Sequence, residues 1–345
     1  MGQQALIIVA LSSLLVGMSV LGFMGAWDFS NNATATLFER DQALNITRSG
    51  VNHAISKLRH QKTWRTGYTN LSVAGGTVTV RVVDRGLDTV RITAAGTINC
   101  VTHNSVVDAK LSSIFPTVES SLTIFGDSVE LSSDGKAFLI DGRDYNTDGT
   151  PGSNPPVNGV GVQSAESAAD VKAQLASASG GSVTENVQGK GGSPSVGSFC
   201  TSNLADLHKF YKDRATIKLP AGKYASNTVF GSLERPEIVY VAGDLEWTGT
   251  ISGTGILVVD GQLIMKGKVE WKGILLAMSG DVMIDIGGTG TPSILGTIWV
   301  GNTDPTAVTR ARVNGNPSIR YSDQTLMKTL GNLGLLDVEV FRYYE

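Results

Sequence analysis

The chain has 345 residues, enough for a core of ordinary size and more than one packed unit, with 41% hydrophobic and 17% charged residues. That balance excludes a disordered chain, and 28 Lys plus Arg against 31 Asp plus Glu, net −3, gives no electrostatic reason to expect nucleic acid. The 41 glycines carry no three-residue period, which excludes collagen and points to turns, bulges and tightly stacked strands. Taken in chain order, the first element is an apolar helix. No charged side chain occurs from Met1 to Trp27, and Asp28 is the first. Ala5–Trp27 alone is long enough, at about 1.5 Å per residue, to cross a bilayer core. The segment lacks the Lys or Arg that opens a secretory signal peptide, which predicts that Met1 is a mature N-terminus left after removal of a charged leader. Its polar residues between Ala5 and Trp27 are Ser12, Ser13 and Ser19, so it has no polar face for water. The residues expected to hold it among sister copies are Ala5, Leu6, Ile7, Ile8, Leu11, Leu14, Leu15, Leu21, Phe23 and Trp27. Gly17, Gly22 and Gly25 each lower helix propensity by about 1 kcal/mol relative to Ala and also permit close helix packing.

After Trp27 the chain turns polar but keeps a helical rhythm. Leu37, Leu44, Val51 and Leu58 recur every seventh residue with Ile55 between them, predicting one amphipathic helix to about His60. Arg40, Arg48, Lys57, Arg59, Lys62 and Arg65 read as its solvated face. Residues 66–115 read as a β-meander. Val78, Val80 and Val82 alternate with polar residues, Val90 and Ile92 do likewise, and Asp84-Arg85-Gly86 separates the two runs. One face of that sheet is expected to cover the amphipathic helix, since both surfaces need burial.

The long helix followed by a meander resembles type IV pilins and pseudopilins. The likeness is greatest to PilX-type pilus assembly proteins, through Gln4-Ala5-Leu6-Ile7-Ile8-Val9-Ala10-Leu11 and Ile46-Thr47-Arg48-Ser49-Gly50-Val51-Asn52-His53-Ala54-Ile55. It extends over residues 1–60 and continues weakly through Thr77–Cys100 and the Gly-rich end. The resemblance implies a filament subunit with partners of three kinds: copies of itself in a helical filament, the pilus assembly machinery with its prepilin peptidase, and the inner membrane before assembly. Such pilins usually carry a glutamate where Ala5 stands here, to meet a neighbour's N-terminal amine, so the usual registration device is missing.

Further along, Asp144-Tyr145-Asn146-Thr147-Asp148-Gly149 places oxygen ligands at alternate positions before a glycine, like the first half of a calcium loop. Asp144, Asn146 and Asp148 are the candidate ligands and calcium is the one cofactor suggested. Pro155 stands where the bidentate Glu should fall, and a metal-free Asx turn is the competing reading. Pro151–Phe199 is rich in Gly, Ser, Pro and Asn, and residues 151–200 are expected to be a linker with one helix at Ala168–Ala176. A second helix is expected at Ser202–Asp213 with Leu204, Leu207 and Phe210 as its face, and a third at Asp323–Leu330 closed by Gly331. Leu335–Tyr344 reads as a final strand.

Between Glu237 and Asn302 the chain repeats. Gly255-Ile256-Leu257-Val258-Val259 returns 18 residues later as Gly273-Ile274-Leu275-Leu276-Ala277, and 23 residues after that as Gly296-Thr297-Ile298-Trp299-Val300. Gly243-Asp244-Leu245, Gly261-Gln262-Leu263 and Gly280-Asp281-Val282 form a second series. This period suggests stacked turns of a β-solenoid, with an antiparallel sandwich as the alternative. The fold class expected is α+β: helix at 1–62, pilin-like β domain at 63–150, linker at 151–200 and solenoid-like domain at 201–345.

Cys100 and Cys200 lack zinc-site spacing. In an exported protein they most often pair, closing a loop of roughly 100 residues worth about 4–5 kcal/mol, and two unrelated thiols are the alternative. Asn32, Asn45 and Asn70 begin Asn-x-Ser/Thr sequons, candidates for glycosylation. Glu246, Asp260, Glu270, Asp281 and Asp285 could line one face as in polysaccharide-cleaving β-helices, but each is equally a solvated residue, and His53, His60, His103 and His208 show no nucleophile spacing. The expectation is a filament subunit and not an enzyme, with a minor pilin or tip adhesin, or a membrane-tethered polysaccharide-acting β-helix enzyme, as the alternatives.

Overall fold

The computed structural model describes residues 2–62, 64–86, 89–113, 116–133, 137–178, 183–199, 204–279, 283–286, 291–302, 304 and 307–344; the side chains at 2–10, 25–26, 28–32, 112–113, 279 and 283–286 are left aside. The architecture is mixed α+β, and the chain divides into two units, one of residues 1–58, 63–111 and 338–345 and one of residues 59–62 and 112–337.

The first unit is built on the helix Gly2–His60 (α1) and an antiparallel meander of Tyr68–Val73 (β1), Gly76–Gly86 (β2), Thr89–Ile98 (β3) and Val101–Ser113 (β4), with the strand Leu336–Tyr344 beside β4. Two-residue hairpin turns join β1 to β2 through Ala74-Gly75 and β3 to β4 through Asn99-Cys100, all four at positive φ. Turns of that kind match the right-handed twist of the strands they join. The period-2 valines do what alternation requires: Val78, Val80, Val82, Val90, Ile92 and Ala94 are all buried. The face that α1 turns to this sheet is Ala43, Ile46, Thr47, Val51, Ala54 and Leu58.

That face corrects the heptad stripe. Val51 and Leu58 belong to it, Leu44 is half-buried, and Leu37 is 62% exposed. Small residues replace the large ones because α1 lies close on the sheet. A Cβ on Gly96 would fall inside the 3.0 Å limit of Thr47 and of the Ala43 carbonyl, and one on Gly50 would meet Val78. Thr47 Oγ1 accepts from Gly96 N–H at 3.1 Å and lies 2.8 Å from Ala43 O and 3.0 Å from His103 O, so the closest point is hydrogen-bonded as well as packed.

Among the described residues of the second unit the strands pair in parallel, and they stack in three columns. The first column runs Ile217–Tyr224, Glu237–Trp247, Thr250–Val259, Lys268–Ser279, Ser293–Asn302, Ser120–Ile124, Asn158–Val162 and Val196–Ser198. Within it Val239, Leu257, Leu275, Ile298, Leu122 and Val160 stand at one level. The second column aligns Trp247, Met265, Ile286 and Val313, and the third Gly253, Trp271, Ile294, Ile319, Ile140 and Val187. The repeated glycines fall opposite one another, Gly255 to Gly273 to Gly296.

The inward residues of all three columns form one core around Trp247 and Trp271, whose rings lie 5.8 Å apart. Each fully buried Leu, Ile or Val there is worth about 1.5–3 kcal/mol. The first column is buried on its outer side too, because the helices Leu204–Asp213 (α3) and Asp323–Asn332 (α4) cover Ile238, Tyr240, Ile256, Ile274 and Leu276. Double burial explains its near-continuous apolar runs.

Residues 151–200 are not a linker. They supply the strands Asn158–Val162, Val187–Gln188 and Val196–Ser198 and the helix Ala165–Ser177 (α2), whose Val171 and Leu175 are buried in the same core. Their glycines fit tight stacking, as at Gly159 and Gly161, where a Cβ would strike the neighbouring strands. α3 likewise turns Leu204, His208 and Tyr211 inward, with Leu207 and Phe210 at its margin. α4 runs through Gly331, and the positive-φ residue that follows it is Gly334.

Candidate assembly surface and polar clusters

Sequence places an uncharged run on α1, and the structure leaves its described side chains uncovered. Leu11, Leu14, Leu15, Leu21, Phe23 and Trp27 expose between 59% and 71% of their surfaces. Val16, Met18, Val20 and Met24 are exposed as well, so apolar residues occur all round the helix rather than in one stripe. An exposed apolar area of this kind marks a surface that meets protein or lipid. Ala5, Leu6, Ile7 and Ile8 lie on the helix, but their side chains are outside the described residues. Among the described residues no helix is long and apolar enough to cross a membrane, and the first part of the uncharged run is not among them. Ser19 returns its hydroxyl to Leu15 O at 2.8 Å, which removes one of the few polar groups from the surface.

The loop after Ile140 is held by its own side chains. Asp148 Oδ1 accepts from Thr150 N at 2.9 Å and Thr150 Oγ1 at 2.6 Å, and Asn146 Nδ2 donates to Thr150 Oγ1 and Pro151 O, both at 3.0 Å. Asp144, which is buried, accepts from Asn154 N at 3.0 Å and from Asp323 N at 3.1 Å, at the first turn of α4. Asp144 and Asp148 therefore serve protein donors, while Asn146 is held through its amide nitrogen, the arrangement of an Asx turn plus a helix-terminus carboxylate. Among the described residues no group of three or more His, Cys, Asp or Glu is placed to hold a metal. Asp141, fully buried, anchors the start of the loop rather than completing a calcium shell. It accepts from Arg143 N at 2.9 Å, from the Arg143 guanidinium at 2.6 Å and from Tyr145 OH at 2.7 Å. Burial opposes its charge, but the bonds from Arg143 and Tyr145 hold its carboxyl below the usual carboxylate range. Next to Asp144, Asp323 is pushed the other way, first by burial and then by the Asp144 charge.

A second cluster ties α3 to the first column. Asp260 Oδ2 accepts from Tyr240 OH at 2.6 Å and Lys212 Nζ at 2.9 Å, and His208 Nε2 lies 3.0 Å from Oδ1 without hydrogen-bond alignment. Burial works against the Asp260 charge, yet Tyr240 and Lys212 hold its carboxyl down; burial pushes His208 down as well. The Lys212 ammonium is held well above its ordinary value by Tyr240 and Asp260, so it is a committed cation and a poor nucleophile. No spacing in the sequence announces this cluster, because its members come from three separate elements.

The other acidic residues do not converge. Glu246 meets Lys223 at 3.3 Å and Lys266 at 3.6 Å in the second column, whereas Glu270 meets Lys268 at 3.4 Å in the third. Asp281 and the side chain of Asp285 are outside the described residues. Cys100 is exposed with a free thiol in its hairpin turn and Cys200 is outside the described residues, so the expected bridge is not present among them. Asn45 is exposed on α1; Asn70 is exposed at positive φ with its side chain on Thr79; the side chain of Asn32 is not described.

No family model matches the chain, and no curated protein does. Among solved structures it is similar to the crystal structure of the competence-associated pilin ComZ from Thermus thermophilus, with 10% identity over 89% of this chain and 97% of that one, at a TM-score of 0.30. A likeness that distant carries no argument about fold or function.

Proposed function

We propose that the chain is a structural subunit of an extracellular type IV pilus-like filament that polymerises through its N-terminal helix. One observation carries the reading: a helix without charge to Trp27 leaves Leu11, Leu14, Leu15, Leu21, Phe23 and Trp27 uncovered by the rest of the chain. Burying one such side chain is worth about 1.5–3 kcal/mol, so the run as a whole strongly favours leaving water. Lipid satisfies that demand before assembly, and the same run of sister copies satisfies it afterwards, with the residues from Ala5 to Trp27 in the filament core. The PilX-type resemblance of residues 1–60 supports the same placement, in the inner membrane first and on the cell surface later.

In this reading the stacked parallel columns of residues 112–337 are a β-solenoid displayed on the outside, and the protein performs no catalysis. A minor or tip subunit is the second reading, favoured by Ala5 standing where a pilin glutamate registers each copy against the next. Counting copies along sheared filaments separates the two.

The test is electron microscopy of sheared surface filaments, with mass spectrometry of their N-terminal peptide. Filaments containing the chain with residues 1–27 attached are expected. Leu21→Lys should abolish incorporation while the melting of the detergent-solubilised chain stays unchanged. Purified chain that remains monomeric in water with this segment attached refutes the reading.

A further inference from the structure

The stack of parallel strands in the second unit has two ends, and they are finished differently. Toward one end the chain from Ser120 to Asp141 supplies a strand to each column: Ser120–Ile124 to the first, Val129–Ser132 to the second and Leu139–Asp141 to the third. The next circuit supplies Asn158–Val162 to the first column and Val187–Gln188 to the third. Between these two, where a strand of the second column would fall, the chain forms α2 instead. Among the described residues Val129–Ser132 therefore pairs with Thr309–Val313 on one side only. An edge strand left in that state presents N–H and C=O groups on which another chain can pair.

Side chains of α2 and its approach answer those groups. Leu131 N–H donates to Gln174 Oε1 at 2.8 Å, and Gln174 Nε2 donates to Val129 O at 3.1 Å. A residue of a further parallel strand, set opposite Glu130, would make the same two bonds. At the corner before the strand, Gly126 N–H donates to Gln163 Oε1 at 2.7 Å and Ser167 Oγ donates to Asp127 O at 3.4 Å. Val171 and Leu175 of the same helix enter the core, so α2 closes the apolar end as well as the polar edge. At the opposite end Ile217–Tyr224 pairs, among the described residues, with Glu237–Trp247 alone, and it carries exposed Lys218, Pro220 and Lys223, residue types that blunt an open edge.

We propose that α2 is the terminal cap of the stack, with Gln174 taking the part of a strand residue, and that this cap prevents a second copy from adding its strands edge to edge. Stacked repeats need such an end to stay apart in solution. One consequence rests on the filament reading above: copies meet through α1 while their second units remain separate. The cap itself does not depend on that reading.

The test uses the detergent-solubilised full chain. Gln174→Met keeps the length of the side chain and removes both bonds, and in sedimentation it should associate at about tenfold lower concentration than the native chain. Gln174→Lys also loses the paired amide but sets a charge on the edge, so it should melt lower without associating. The Leu131 amide should exchange slowly with solvent deuterium in the native chain and faster in Gln174→Met. Unchanged association of Gln174→Met, equal association of Gln174→Lys, or a native Leu131 amide that exchanges as fast as one on an open edge each overturn the proposal. The last measurement decides even where Gln174→Met does not fold. None of these readouts uses filaments, so failure of the filament reading leaves the cap standing, and failure of the cap leaves polymerisation through α1 standing.

Discussion

Gly273 offers a direct test of the stacking geometry. It sits at φ +126, opposite Gly255 and Gly296, and a Cβ there would fall inside the 3.0 Å that real Cβ atoms keep from the Gly255 carbonyl. The obstacle is backbone of the preceding strand, fixed by its own ladder, so it cannot swing aside as a side chain would. Holding a non-glycine residue at such a φ costs about 1–3 kcal/mol, and overpacking adds about 1–3 kcal/mol. Reduced freedom of the unfolded chain returns about 0.4–1 kcal/mol. Gly273→Ala should therefore destabilise the second unit by about 3 kcal/mol, a fall in Tm of roughly 6–12 °C for a unit of this size. Gly149→Ala is the control: its φ is +83 but nothing lies within 4 Å of the added Cβ, so about 1 kcal/mol is expected. The assay is thermal and urea unfolding of the detergent-solubilised chain, followed by the fluorescence of Trp247 and Trp271, both buried in the affected core. Equal shifts in the two variants, or a loss below about 1 kcal/mol for Gly273→Ala, would show that the close approach of the strands is not what excludes a side chain.

On α1, Leu58→Ala should cost about 2–5 kcal/mol because the side chain is buried, whereas Leu37→Ala should stay within about 0.5 kcal/mol in the detergent-solubilised chain. Since the folded carboxyl of Asp141 is held below its unfolded value, it stabilises the fold above the unfolded carboxylate pKa of about 4 and loses that contribution as pH falls through the folded value. Asp141→Asn should thus lower stability at pH 7 and flatten the acid limb of a Tm-against-pH profile. Asp323, held above its ordinary value, has the opposite sign: its contribution is greatest when protonated, so Asp323→Asn should be far milder than Asp141→Asn at pH 7. Calcium added to the native chain should leave Tm unchanged, because Asp144, Asn146 and Asp148 already serve protein partners; a rise that saturates with calcium would reinstate the metal loop.

What could be read without coordinates was local and periodic. Val78, Val80 and Val82 announce a half-buried strand, because side chains alternate every two residues whatever the strand pairs with. The copies at Gly255, Gly273 and Gly296 announce their own alignment, because equal spacing gives equal geometry. The stripe on α1 was misjudged for a matching reason. Seven-residue recurrence points to Leu37 and Leu44, but a helix lying close on a sheet selects Ala43, Gly50 and Ala54, and closeness is a property of the pair. The polar clusters were illegible for a related cause: Asp260 gains its meaning from Lys212 and Tyr240, which stand 48 and 20 residues away.

By itself the sequence determined the uncharged N-terminal helix, the meander and the Gly-punctuated repeat, all set by backbone period and by the aversion of apolar side chains to water, while parallel pairing was decided by the fold. Tertiary structure alone decided which strands became neighbours across the long gaps. On the side away from Lys268–Ser279, Ser293–Asn302 pairs through Ser293, Ile294 and Leu295 with Ser318–Arg320, but through Ile298, Trp299 and Val300 with the distant Ser120–Ile124, and there Thr297 Oγ1 donates to Ser120 O at 3.0 Å where the preceding copies carry Ile256 and Ile274. Residues 151–200 read in the sequence as a linker and Ser293–Asn302 as part of the repeat domain, yet Val160, Val171 and Val196 share one core with Ile294 and Ile298. The physical reason is that burial is indifferent to sequence distance: an edge strand with an apolar inner face is completed by whichever segment of matching shape the folded chain brings to it.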